Sequence, residues 1–173
     1  MARKLLYTAF IIATLFNAGC SLDIESYEVD WAPVYLYIYA TDVNNNSIIE
    51  PDMPGMTLQF KDETYTVQDW SEIGNKTSTR AYLARLYGLF AQPGPLYGAP
   101  DGTYRLVFGE IDGAADMDED ITLTWPDGSI DIIHYHCSNH KEGSNPTCDR
   151  SWKLNGKRHD GSEFGFIKRK RFL

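Results

Sequence analysis

The chain has 173 residues, with 24 acidic against 16 basic side chains, a formal net charge of −8 and a 43% hydrophobic share. That length and apolar content suffice for one domain with a proper core, and the acidic balance argues against nucleic acid as a partner. Half of the basic side chains fall after residue 149, in a tail that includes Lys168-Arg169-Lys170-Arg171.

Arg3 and Lys4 precede an apolar run, residues 5–16, which gives way to Asn17-Ala18-Gly19-Cys20. Charge, apolar run and small residues in that order make a secretory leader. As a helix the run would reach ~18 Å, well short of a hydrocarbon core of ~30 Å, so it reads as an export signal rather than a span. Ala18-Gly19-Cys20 resembles the lipobox of bacterial lipoproteins, although Asn17 stands where an aliphatic residue is usual. The resemblance implies cleavage before Cys20, lipid on its sulfur, and a membrane partner reached through acyl chains. The expected layout is a signal peptide over 1–19, a flexible acidic tether over 20–29 and a single domain over 30–173. The expected location is the cell envelope, lipid-anchored at the outer membrane on its periplasmic face or at the cell surface.

The first predicted strand, 31–41, places Val34, Leu36, Ile38 and Ala40 on one face and Tyr35, Tyr37 and Tyr39 on the other. An exposed tyrosine row is a candidate surface for stacking on sugar rings or anchoring a protein. Directly after it, Asp42, Asn44 and Asn46 repeat with the spacing of a calcium loop, and Glu50 falls on the ninth position. Ser47 then replaces the expected glycine and Met53 the bidentate glutamate, so no cofactor is expected; the segment reads as an asparagine-rich turn, with Ca²⁺ as the alternative.

Further strands are predicted at 57–61, 64–68, 79–90, 103–111, 120–125, 129–137, 150–154 and 163–169. A helical turn fits within 69–78, and the Pro- and Gly-rich stretch 92–102 reads as an irregular connection. Lys61-Asp62-Glu63, Pro126-Asp127-Gly128 and Asn155-Gly156 supply hairpin turns. The architecture implied is all-β, an antiparallel β-sandwich of immunoglobulin-like or transthyretin-like type, with a partly closed β-barrel as the alternative. Trp125 and Trp152 fall in strands and look structural, whereas Trp31 and Trp70 are less constrained.

Asp112, Asp116, Asp118 and Asp120 form an oxygen-rich stretch that reads as an acidic turn or a cation site. In the next predicted strand His134 and His136 share a face with Ile130 and Ile132, so a metal would use these histidines plus a carboxylate. Cys137 and Cys148 enclose ten polar or turn-forming residues, including His140. With Cys20 lipidated, the remaining even pair in an oxidising compartment predicts a disulfide. The basic tail is expected to lie across the acidic sheet.

The phrases YATDVNNNSIIEPDMPG, TRAYLARLYGL, YRLVFGEIDG, DEDITLTWPDGSIDIIHYH and WKLNGK together resemble a family of β-rich surface lipoproteins of Bacteroidetes-type bacteria. The resemblance covers most of the mature chain and implies architecture and location, with no catalytic residue. The sequence carries no GxSxG elbow, phosphate-cradling loop or HExxH. The expected function is therefore a non-enzymatic binding or structural module for an extracellular protein or glycan partner. The alternative is a metal-dependent or hydrolytic enzyme acting on extracellular polymer.

Overall fold

The computed structural model describes residues 33–73, 86–94, 102–113 and 115–168. The expected leader, Cys20, the tether, Trp31, residues 79–85 of a predicted strand and Arg169 to Arg171 lie outside the described residues.

Period-two alternation dominates the chain, and it folds accordingly: β1 (Val34–Thr41), β2 (Thr57–Phe60), β3 (Glu63–Asp69), β4 (Gly88–Pro93), β5 (Tyr104–Ile111), β6 (Met117–Thr124), β7 (Ile130–Glu142), β8 (Asn145–Leu154), β9 (Lys157–His159) and β10 (Glu163–Ile167). A single 3₁₀ turn, Trp70–Glu72, follows β3 and is capped by Asp69, whose carboxylate accepts from Ser71 N. The all-β expectation is met. In place of two separate antiparallel sheets, the strands join in one ten-stranded mixed sheet, ordered β10-β1-β5-β4-β3-β2-β6-β7-β8-β9, curled into a half-barrel. Two neighbouring pairs, β1 with β10 and β3 with β4, are parallel. The partly closed barrel named as the alternative is the nearer description.

Several boundaries moved for identifiable reasons. Residues 138–149, expected as a polar loop, extend β7 and β8 as a paired ribbon that turns at Gly143, where φ is +67°. Polar side chains on both faces hid this, because a ribbon outside the core needs no apolar alternation. Gln92 and Pro93 end β4, paired with Arg105 and Tyr104, rather than opening the irregular connection; a terminal strand position tolerates a proline. β9 is a three-residue edge strand, formed because Asn155 and Gly156, at φ +49° and +79°, make the tight turn that folds it back on β8.

Inward residues from every part of the sheet meet in one core that includes Leu36, Ile38, Leu58, Leu89, Leu106, Phe108, Ile121, Leu123, Trp125, Ile133, Tyr135, Trp152 and Phe164. Trp125 and Trp152 are structural, as their strand positions predicted. Aromatic contacts span the curl: Phe60 meets Phe108 at 5.6 Å, Trp125 meets Phe166 at 5.2 Å, and Trp152 stacks on Tyr135 at 4.2 Å while its other contact is Phe164 at 5.7 Å.

The two terminal strands of the sheet, β9 and β10, are consecutive in the chain, so the short link at 160–162 carries it from one edge to the other. Where β10 ends, Lys168 N donates to Thr41 O of β1 at 2.9 Å. Its ammonium reaches across to β7, 2.6 Å from Asp131 Oδ2 and 4.5 Å from the centre of the Trp125 ring. Asp131 also accepts from Trp125 Nε1 and Asn155 Nδ2, both at 2.8 Å. Lys168 therefore lies across the sheet, and the rest of the basic tail lies outside the described residues.

A second local device sits in β5. Val34 pairs with Ile111 but Leu36 with Phe108, so β5 carries one extra residue opposite Tyr35. Gly109 occupies the bulge at φ +150°, and a Cβ there would stand 3.0 Å from Val34 O and 3.1 Å from Tyr35 Cδ1.

Two outcomes are expected. Gly109→Ala costs about 1–3 kcal/mol in denaturant unfolding; a loss within ~0.5 kcal/mol, the usual range of neutral substitutions, would show that the bulge has no such steric demand. Lys168→Met costs about 3 kcal/mol, since it leaves the largely buried Asp131 without its cation. Burial by itself would raise the Asp131 carboxyl, but hydrogen bonds from Lys168, Asn155 and Trp125 outweigh it and hold the group below its ordinary value. A folded value below the unfolded one, ~3.9, gives stability present above that pH and lost as pH falls through the folded value. Asp131→Asn should thus destabilise at neutral pH and flatten the acid limb of a stability–pH curve.

Candidate functional site

The turn at Trp125–Ser129, closed by hydrogen bonds Trp125 N to Ser129 O at 2.9 Å and Gly128 N to Trp125 O at 2.8 Å, fixes the register of β6 against β7. Ile133, Tyr135 and Cys137 point into the core. The alternate residues Ile130, Ile132, His134 and His136 point outward, with Ile130 60% and Ile132 41% exposed. That register sets Asp118 opposite His136 and Asp120 opposite His134. His134 Nδ1 lies 2.9 Å from Asp120 Oδ1 and its Nε2 lies 3.1 Å from Asp118 Oδ1, the same oxygen that stands 3.2 Å from His136 Nδ1. An open groove of about 420 Å³ runs alongside, walled by Gln59, Lys61, Thr122 and the two aspartates.

The four aspartates of the acidic stretch are not brought together as one cluster. Asp116 accepts from Asn139 N at 2.7 Å and Asn139 Nδ2 at 3.1 Å, and these bonds hold its carboxyl below the usual range. It thereby ties the loop before β6 to the root of the β7–β8 ribbon. Asp118 and Asp120 face the two histidines, whereas Lys168 is engaged by Asp131.

The Asp42 loop uses its oxygens on itself. Asp42 is buried and accepts from Asn44 N at 2.8 Å, Asn46 N at 2.9 Å and Asn46 Nδ2 at 2.9 Å, with Asn45 at φ +65°. This is the asparagine-rich turn chemistry, an aspartate capping the backbone two and four residues on. Asp42, Asn44 and Asn46 are thus arranged as donors and acceptors to one another rather than as three oxygens facing a cation.

The tyrosine row is half-buried and also internally bonded. Tyr35 donates to Glu110 Oε1 at 2.5 Å, Arg105 lies 4.2 Å over the Tyr37 ring, and Arg105 Nη1 donates to Tyr39 at 3.2 Å. Gln92 orients that guanidinium, accepting from its Nε at 2.6 Å. The ring faces therefore serve the outer side of β1 and β5 more than an open surface.

Cys137 and Cys148 do meet: their sulfurs are 3.2 Å apart, and both are thiols in this structure. They sit diagonally across the ribbon, Cys137 opposite Arg150 and Cys148 opposite Asn139. Arg150 Nη2 donates to Gly113 O at 3.0 Å beside them. Burial first, and then the neighbouring Cys137, push the Cys148 thiol up.

Sequence reasoning selected the two histidines but not their carboxylates. A signal was there: counting outward from the Trp125 and Ser129 closure pairs Asp120 with His134 and Asp118 with His136. Among the described residues no helix is long and apolar enough to cross a membrane. No protein-family model, curated protein or solved structure matches this chain.

Proposed function

We infer that the chain is an exported lipoprotein, anchored through Cys20 and related to β-rich surface lipoproteins of Bacteroidetes-type bacteria, whose folded body binds an extracellular protein or glycan without catalysis. The location rests on the leader and Cys20. The binding reading rests on one observation, the outward stripe of β7. It runs from two exposed isoleucines, Ile130 and Ile132, to two histidines in contact with carboxylates, all on a strand paired on both sides, with β6 and β8. An apolar end and a polar end on one strand face suit recognition of an amphipathic surface.

The hydrolytic alternative calls for histidines within hydrogen-bond reach of carboxylates in a cleft, and the His134–Asp120 contact favours it. Both rings contact carboxylates, however, and among the described residues neither contacts a hydroxyl or thiol that it could activate. A positioned base without a nucleophile supports binding better than covalent catalysis.

Export also assigns a crosslink to Cys137 and Cys148. Exchange with a disulfide-carrying oxidase of that compartment would remove one hydrogen from each thiol, reduce the oxidase disulfide to its dithiol, and staple the root of the ribbon. Non-reducing peptide mapping of native material should yield the two cysteine peptides joined, and reduction should lower stability by about 3 kcal/mol; free thiols in the native protein would refute the staple.

The anchor and the partner are tested together. Membrane-derived protein should begin at an acylated Cys20, and Cys20→Ala should move it into the aqueous phase on detergent partition. Immobilised protein should capture a defined envelope component that Ile132→Asp no longer retains. An uncut leader on native material would refute export, and capture indifferent to Ile132 would remove the β7 stripe as the binding face.

A further inference from the structure

On the outer face, two carboxylates of β6, Asp118 and Asp120, stand opposite two imidazoles of β7, His136 and His134. One oxygen is shared: Asp118 Oδ1 lies 3.1 Å from His134 Nε2 and 3.2 Å from His136 Nδ1. The second nitrogen of His134, Nδ1, is 2.9 Å from Asp120 Oδ1. A carboxylate can only accept, so Asp120 takes a hydrogen bond from Nδ1–H and fixes the ring with Nε2 directed at the shared oxygen. His134 Nε2, His136 Nδ1 and Asp118 Oδ1 thus converge on one exposed face, where a divalent ion can bond both rings and the carboxylate at once.

We propose that His134 Nε2, His136 Nδ1 and the Asp118 carboxylate form a surface site for a divalent first-row transition ion of the zinc class, with Asp120 orienting the His134 ring. Ligands bound at ~2.0–2.2 Å stand roughly 3–3.5 Å from one another around a tetrahedral ion, which is the spacing already present between the shared oxygen and each nitrogen. Imidazole with carboxylate selects zinc, nickel or copper over calcium and magnesium. The Asp120–His134 contact is the carboxylate–histidine pairing that fixes the tautomer and direction of metal-bound rings. Among the described residues no group of three His, Cys, Asp or Glu already surrounds a metal-sized point. Closure therefore requires a torsional swing, and Asp118, with its side chain 71% exposed, has room for one. The remaining coordination positions would face the groove beside Thr122 and Lys61. The site deepens the binding reading of the β7 stripe and requires nothing of the lipid anchor.

The full chain, purified in detergent and stripped with EDTA, is titrated with zinc chloride by calorimetry, alongside thermal melts followed by circular dichroism. One saturable site is expected, with a zinc-dependent rise in melting temperature and no competition from calcium. His134→Ala and Asp118→Asn should each abolish saturable binding, and Asp120→Ala should weaken it by about 10–100-fold. Cys148→Ser, His140→Ala and His159→Ala should leave it unchanged. All these positions are exposed or half-buried, and melts of the metal-free variants establish that each is folded. Absence of saturable binding by the folded chain overturns the proposal, as does binding that persists in a His134→Ala/His136→Ala double variant. Failure of the anchor or partner is read separately, by detergent partition and by Ile132→Asp capture, and neither result alters the titration.

Discussion

The structure depends on bringing two distant ends of one sheet over a shared core, and the Lys168–Asp131 contact is where that closure is held. A flat ten-stranded sheet would leave its apolar face in water. Curling it brings Phe164 and Phe166 of β10 against Trp152 and Trp125 of the opposite end, and burial of such rings is the main driving force. The Lys168 ammonium, just past β10, then reaches Asp131 of β7 beside the Trp125 ring. An ion pair this enclosed adds specificity more surely than net stability, and here it fixes which strand the end of β10 meets.

That closure also positions the candidate site. The Trp125–Ser129 turn contributes Trp125 inward to the core and Ser129 and Asp131 to the Lys168 contact, while setting the register of β6 on β7. A slip of one residue would send His134 and His136 inward and Tyr135 and Cys137 outward. The core residues Ile133 and Tyr135 forbid it, so the polar groups on the outer face are held in register by apolar packing on the inner one. The ribbon beyond Cys137 lacks that packing and relies instead on Asp116, Arg150 and the paired sulfurs at its root.

Function reads most clearly where polar groups are arranged without serving the fold. Asp42 closes its own turn, Arg105 organises the tyrosine row, and Asp116 secures the ribbon; each has a structural task that accounts for its chemistry. Asp118, Asp120, His134 and His136 lie on an exposed face where removing any one would leave the core intact. Their mutual contacts, beside two exposed isoleucines, make the outer face of β7 the surface on which we propose that binding is centred.

The sequence by itself determined the all-β class, the two faces of β1 and β7 and the structural tryptophans. These follow from period-two alternation and from short hairpin turns, which are local and cannot be satisfied two ways. Only the tertiary structure decided that the strands join in one curled mixed sheet, because parallel partners such as β1 with β10 and β3 with β4 are remote in sequence and no local residue encodes them. It likewise decided that Asp118 and Asp120 belong with the histidines while Asp116 does not, since Asp116, two residues before Asp118, meets the backbone amide of Asn139 instead of an imidazole.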